Sequence, residues 1–147
     1  MRLMARAVGL LAALSVSQSY AQDTRQLVQL PKPMQEHMLR SMRDHLASLN
    51  EIIGYVSVGK FDEAAKVAEQ RLGMSSLSAH DAAHMAPFFP KPMQDMGTSM
   101  HHEGSRLVIV LQNASVTPGA QSLQEINHSL HELTSACTSC HAAYRVR

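Results

Sequence analysis

The sequence predicts an all-α protein, an antiparallel four-helix bundle. Apolar residues recur at steps of three and four in four separate blocks, which is the pattern of amphipathic helices. Glycine and proline separate the blocks, and no segment alternates polar and apolar residues with the period of two that strands require. Because most of the connections are short, consecutive helices are expected to be antiparallel neighbours.

Residues 1–21 have the pattern of a secretory signal peptide. A start with two arginines precedes an apolar run over Ala7–Val16, and small residues end the segment at Ala21. The run is shorter than the roughly 20 residues of a membrane-spanning helix, so an uncleaved anchor is the lesser alternative. The sequence therefore predicts cleavage before Gln22, a periplasmic location and a single domain over 22–147.

The composition of this domain limits its partners and its interior. It has 11 basic and 12 acidic residues and no run of like charge, so neither nucleic acid nor an acidic membrane surface is expected as a partner. Tryptophan is absent and aromatic residues make up 4% of the chain, whereas there are ten methionines. The interior is therefore expected to be filled by flexible methionine side chains or by a large planar cofactor.

The first two helices are predicted over 34–58 and 61–72. Gly59 separates them, and Gly73 is suited to end the second. The apolar stripe predicted to face the core from the first helix consists of Leu39, Met42, Leu46, Leu49, Ile53 and Val56.

A long connection is predicted over 74–92, because prolines at 87, 90 and 92 interrupt any helix there. The third helix follows over 93–113. Gly97 and Gly104 lie on its apolar stripe, where they allow a neighbouring helix or a flat ligand to approach closely. The remaining stripe residues are Met93, Met100, Leu107 and Leu111.

The fourth helix is predicted to begin at Thr117-Pro118, an N-cap followed by proline, and to end near Tyr144. Its stripe advances by three and four and ends in the only two cysteines of the chain. We therefore expect both cysteines to point into the bundle. The stripe consists of Leu123, Ile126, Leu130, Leu133, Cys137 and Cys140.

The cysteine pair in SACTSCHAAYRVR allows four interpretations. A disulfide between residues three apart is strained in a regular helix. A redox dithiol is expected at the start of a helix beside a βαβ unit, not at the end of a helix in an all-α chain. A zinc site would need histidines to complete its four ligands. The fourth interpretation is C-x-x-C-H in an exported protein, the signal for covalent haem attachment, and it is favoured.

The C-terminal segment, together with the four predicted helices, resembles the class II c-type cytochromes, the cytochrome c′ group. The matching residues are those of a C-x-x-C-H-x-x-Y-R ending: Cys137, Cys140, His141, Tyr144 and Arg145. The resemblance implies one haem c bound through thioethers at the two cysteines. It also implies His141 as the axial iron ligand, Tyr144 and Arg145 beside the cofactor, and dimerisation through the first two helices.

The same resemblance places the first helix over the distal face of the haem. Low-spin members have a methionine there and high-spin members an apolar residue, which makes Met42 the first candidate ligand, Met38 the second and Leu39 the apolar candidate. The arginine of high-spin members falls at Gln35 in this chain. A methionine ligand favours electron transfer, whereas an open position favours gas binding.

Three functions follow from these patterns. The first is one-electron transfer by a low-spin haem to an unidentified redox partner. The second is binding of nitric oxide or carbon monoxide by a five-coordinate haem. The third is a haem-free metal-binding protein, since histidines and methionines at 80, 84, 85 and 100–102 suit copper. Surface histidines and core methionine are the favoured explanation of these residues. No enzyme is predicted, because no catalytic triad, phosphate loop or carboxylate pair is recognisable.

Overall fold

The computed structural model describes residues 22–147, and the predicted signal peptide lies outside them. The prediction of an all-α chain is confirmed, because helices account for most of the described residues. None of these helices is long and apolar enough to cross a membrane. The helices are α1 (Lys32–Ser57), α2 (Phe61–Arg71), the single turn α3 (Ala82–Met85), α4 (Lys91–Val116) and α5 (Ala120–Ala143).

Two short strands, which the sequence pattern did not predict, join the two ends of the domain. β1 (Gln26–Val28) pairs in parallel with β2 (Tyr144–Val146), so that the chain leaves its helical path at Tyr144. The Leu30 amide donates to the Arg147 carbonyl at 3.0 Å and extends the pairing. Strands of three residues are too short to show an alternating pattern.

The helices enclose one main core. The extensive helix contacts join α1 to α2, α2 to α4 and α4 to α5. The predicted α4 stripe is correct at Met100, Gly104, Leu107 and Leu111, which are all buried. The most deeply buried large side chains are Ile52, Leu107, Leu111, Ile126 and Leu133.

The stripe predicted for α1 is partly wrong. Ile52 and Ser48 are completely buried, so the inner face of the helix includes a polar position. The Ser48 hydroxyl tolerates burial because it donates to the Asp44 carbonyl at 2.7 Å. Three residues predicted to be buried are instead exposed: Leu39 (38%), Leu46 (69%) and Ile53 (49%).

The turn between α4 and α5 also differs from the prediction. Thr117 ends α4 instead of beginning α5, and its hydroxyl donates to the Asn113 carbonyl at 3.0 Å. Helix α5 starts after Gly119, at Ala120. A threonine can satisfy a preceding carbonyl as readily as a following amide, so the sequence alone did not decide between the two roles.

The connection predicted over 74–92 ends at Pro90, because α4 begins at Lys91, and it is compact. It contains α3 and two 3₁₀ turns, at Met74–Leu77 and Ala86–Phe88. The Met74 amide donates to the Ser105 hydroxyl at 2.9 Å, which holds the start of the connection against α4. This connection supplies one wall of the site described next.

Candidate cofactor cavity and histidine cluster

A cavity of about 580 Å³ is lined by residues of α1, α4, α5 and the connection over 74–90. Its volume lies within the range of roughly 300–1,000 Å³ that is usual for cofactor and ligand sites. Thioether side chains line it from two sides, which suits a large, flat, apolar group. These side chains are Met38 and Met42 on α1, and Met93, Met96 and Met100 on α4.

Both cysteines line this cavity from the last two turns of α5. They are free and half-buried, with Cys137 against the main core and Cys140 in a second apolar cluster with Val28, Leu30 and Met93. Burial raises the pKa of both thiols. A redox dithiol depends on a lowered thiol pKa, so this environment is unlike that of a reactive dithiol.

His141 also lines the cavity, from the end of α5, although its side chain is largely exposed. Tyr144 and Arg145 follow it in β2 and do not line the cavity. Tyr144 packs in the same apolar cluster as Cys140. Arg145 lies near the carboxylate of Asp23, with its Nε 3.4 Å from Oδ2. Tyr144 and Arg145 therefore hold the C-terminal end of α5, which carries the C-x-x-C-H sequence, against the rest of the domain.

The three distal candidates of α1 are not equivalent. Met38 and Met42 line the cavity one turn apart, facing the space that the two cysteines also line. Leu39 is 38% exposed and lies outside the lining. The structure thus brings both methionine candidates to the cavity and leaves the apolar candidate outside it.

Three histidines meet at the cavity wall, and the sequence pattern did not bring them together. His45 lies on α1, His80 in the connection and His101 on α4. One ring nitrogen of each lies within 4.8 Å of those of the other two. The closest pair is His45 Nε2 and His80 Nε2, at 3.1 Å. Because the three residues belong to three separate elements, no sequence spacing could reveal the cluster.

Hydrogen bonds fix the orientation of the buried ring, that of His101. Its Nδ1 lies 3.0 Å from the Leu72 carbonyl and 3.2 Å from the Ser76 hydroxyl. A carbonyl oxygen can only accept, so Nδ1 is the donor and Nε2 of the neutral ring keeps its lone pair. The His80 ring contacts the Arg71 carbonyl through Nε2 at 3.2 Å.

Burial also favours the neutral form over the protonated form in two of these rings. It lowers the pKa of His45 to about 4, with nearby His80 and His101 as the next causes. Burial likewise lowers the pKa of His101. Both rings are therefore neutral at pH 7, the form in which imidazole binds metal ions.

Comparison with models of protein families, with curated proteins and with solved structures finds no match to this chain. Two groups of residues share the cavity. One is the predicted attachment and ligand set, Cys137, Cys140, His141, Met38 and Met42. The other is the histidine cluster, defined as His45, His80 and His101.

Proposed function

We propose that this chain is a periplasmic class II c-type cytochrome that carries one covalent haem and transfers single electrons. In this proposal the four long helices form an antiparallel four-helix bundle around the haem, which is held near the C-terminal helix. The observation that carries the proposal is the meeting of Cys137, Cys140 and His141 with Met38 and Met42 at one cavity.

The residues of the cavity fit a haem in chemistry and in size. Cys137 and Cys140 would each add the S–H bond of the thiol across a vinyl group. This forms a thioether, leaves the hydrogen on the other vinyl carbon and needs no oxidant. His141 would hold the iron through an imidazole nitrogen, and the largely apolar lining would limit the access of water to the haem.

A haem bound in this cavity supplies one-electron redox chemistry at its iron. Met42 is the first candidate for the second axial position, and Met38 is the second. A thioether in that position favours the reduced iron and raises the reduction potential, which suits a carrier better than a gas sensor. Since Leu39 lies outside the cavity lining, it offers less support for the gas-binding alternative.

The attachment is tested by mass spectrometry of the protein purified from the periplasm of a host that matures c-type cytochromes. We expect the mature chain to be heavier by one haem. Cys137→Ser with Cys140→Ser should give the unmodified mass, whereas Ser139→Ala, an exposed position between the two cysteines, should keep the haem. An unmodified mass for exported, folded wild-type protein would overturn the proposal.

A further inference from the structure

The three imidazoles of the histidine cluster are spaced for shared coordination of an ion. A tetrahedral ion with bonds of 2.0–2.1 Å places its ligand nitrogens about 3.3–3.4 Å apart. One ring nitrogen of each histidine lies within 4.8 Å of those of the other two, and His45 Nε2 is 3.1 Å from His80 Nε2. His80 Nε2 donates to the Arg71 carbonyl at 3.2 Å, so coordination through this atom replaces that hydrogen bond. The ring centroids are 4.6, 5.5 and 5.6 Å apart, so small ring rotations suffice. We propose that His45, His80 and His101 bind one divalent zinc-type ion, independently of the proposed haem.

The outer partners of His101 are those of a metal-bound histidine. Metal-bound histidines usually donate their second ring N–H to a carbonyl or a carboxylate, which fixes the ring and its tautomer. His101 does so through Nδ1 to the Leu72 carbonyl, with Ser76 beside it, and this leaves Nε2 as the ligand atom. His101 is only 6% exposed, so water cannot replace these partners easily.

The backbone that carries His80 is held in place from two sides. The His37 Nε2 on α1 donates to the His80 carbonyl at 2.9 Å. The His80 amide donates to the Ser76 carbonyl at 3.1 Å, within the compact start of the connection. The His101 ring and the main chain of His80 are therefore already held in place, which reduces the cost of ordering them when an ion binds.

The charges around the histidine cluster and its access to solvent also allow a cation to bind there. The guanidinium of Arg71, which lies beside the cluster, is compensated by the carboxylates of Asp44 and Glu51. A surface depression of about 270 Å³ has Arg71, Asp44 and His80 among its lining residues. His80 lines both this depression and the main cavity, so an ion can reach the rings from solvent.

The ligand set indicates which ion. Imidazole suits zinc, copper, iron and nickel, and hard oxygen-preferring ions such as Mg²⁺ or Ca²⁺ find no carboxylate among the three ligands. Three protein nitrogens leave a tetrahedral ion with one open position, as in zinc sites that bind water or a small molecule. All three histidines line the main cavity, so that position is reachable from within it.

The test is isothermal titration calorimetry of the mature protein after metal ions have been removed with a chelator. Zn²⁺ is the probe, and Mg²⁺ is the negative control. We expect one Zn²⁺ per chain. His45→Ala, His80→Ala and His101→Ala should each weaken binding by more than the roughly 10- to 100-fold that loss of an outer partner causes. His84→Ala and His102→Ala, both at exposed positions, are the matched controls and should bind as the wild type does.

X-ray absorption at the zinc edge provides a test that does not depend on the folding of any variant. The wild-type complex should show three imidazole nitrogens at 2.0–2.1 Å. The inference would be overturned if Zn²⁺ did not bind stoichiometrically or if its shell contained fewer than three imidazoles. It would also be overturned if the control substitutions weakened binding as much as the substitutions in the cluster. The mass of the same sample reports haem attachment separately, so the failure of either proposal is distinguishable from that of the other.

Discussion

Gly104 packs directly against the main-chain carbonyl of Leu72: a Cβ atom at Gly104 would overlap that oxygen. The absence of a side chain brings the end of α2 against α4 closely enough for His101, on the same helix, to donate to the same carbonyl. One glycine thus fixes both a helix contact and the orientation of a ring in the histidine cluster.

Gly104→Ala should destabilise the fold, because the added methyl group must displace the main chain of Leu72. Overpacking of this kind costs about 1–3 kcal/mol, which exceeds the gain of up to about 1 kcal/mol from replacing a helical glycine. Urea unfolding measures the difference. Gly54→Ala is the matched control, since nothing lies within 4 Å of its added Cβ, and it should leave stability unchanged or slightly raised. Equal stability of the two variants would contradict the close contact.

Met42→Ala should remove the weak charge-transfer band that a methionine-bound ferric haem shows, and should open the reduced protein to carbon monoxide. The reason is that Met42 lines the cavity and is the first candidate ligand. Absorption spectra of Met42→Ala and Met38→Ala identify which of the two is bound. Leu39→Ala is the control, because Leu39 follows Met38 on α1 but does not line the cavity. If both methionine variants keep the wild-type spectrum, neither methionine is the ligand.

The stability of the metal-free protein should fall as the pH is lowered from about 6.5 to about 4. Burial holds the folded pKa of His45 at about 4, against 6.5 as its ordinary value, so over this range the unfolded chain binds a proton that the folded chain does not. Asp44, Arg71, His80 and His101 face this ring. The loss is at most about 3 kcal/mol.

Urea unfolding at pH 7 and at pH 5 measures this effect. His45→Gln removes the titrating group and should reduce the dependence on pH in that interval. The result that counts against a buried neutral His45 is an identical pH dependence in the wild type and the variant.

Val28→Ala should destabilise the protein by weakening the packing that joins the two ends of the domain. Val28 is 5% exposed and packs in the apolar cluster that contains Cys140 and Tyr144. The loss of two buried methyl groups typically costs about 1–3 kcal/mol. Gln26→Ala in the same strand is exposed and should have little effect on urea unfolding. A neutral Val28→Ala would mean that the strand pair contributes little to stability.

Helix positions were predictable where the buried face is apolar. The stripe of α4 is correct at Leu107 and Leu111 because its core positions, His101 apart, are occupied by apolar residues and glycine. The stripe of α1 failed at Leu46 and Ile53 because the inward face includes a polar residue, Ser48, whose hydroxyl is satisfied within the helix. Hydrophobic periodicity cannot detect a polar residue that is buried with its partner.

The two groups of candidate ligands differ in how visible they are in the sequence. Cys137, Cys140 and His141 lie within one helical turn, so their spacing alone indicated a shared role. His45, His80 and His101 are brought together only by the packing of α1, the connection and α4. Long-range packing of this kind has no local signature.

The parallel pairing of β1 with β2 has a consequence for the order of folding. Its register joins Gln26 to Tyr144, almost the whole length of the domain apart, so its loop-closure entropy cost is among the largest in the fold. Local helices form faster than such distant contacts. Since Gln26 is synthesised long before Tyr144, we expect this pair to close late. Until then the thiols of Cys137 and Cys140 remain accessible, as the haem attachment that we propose would require.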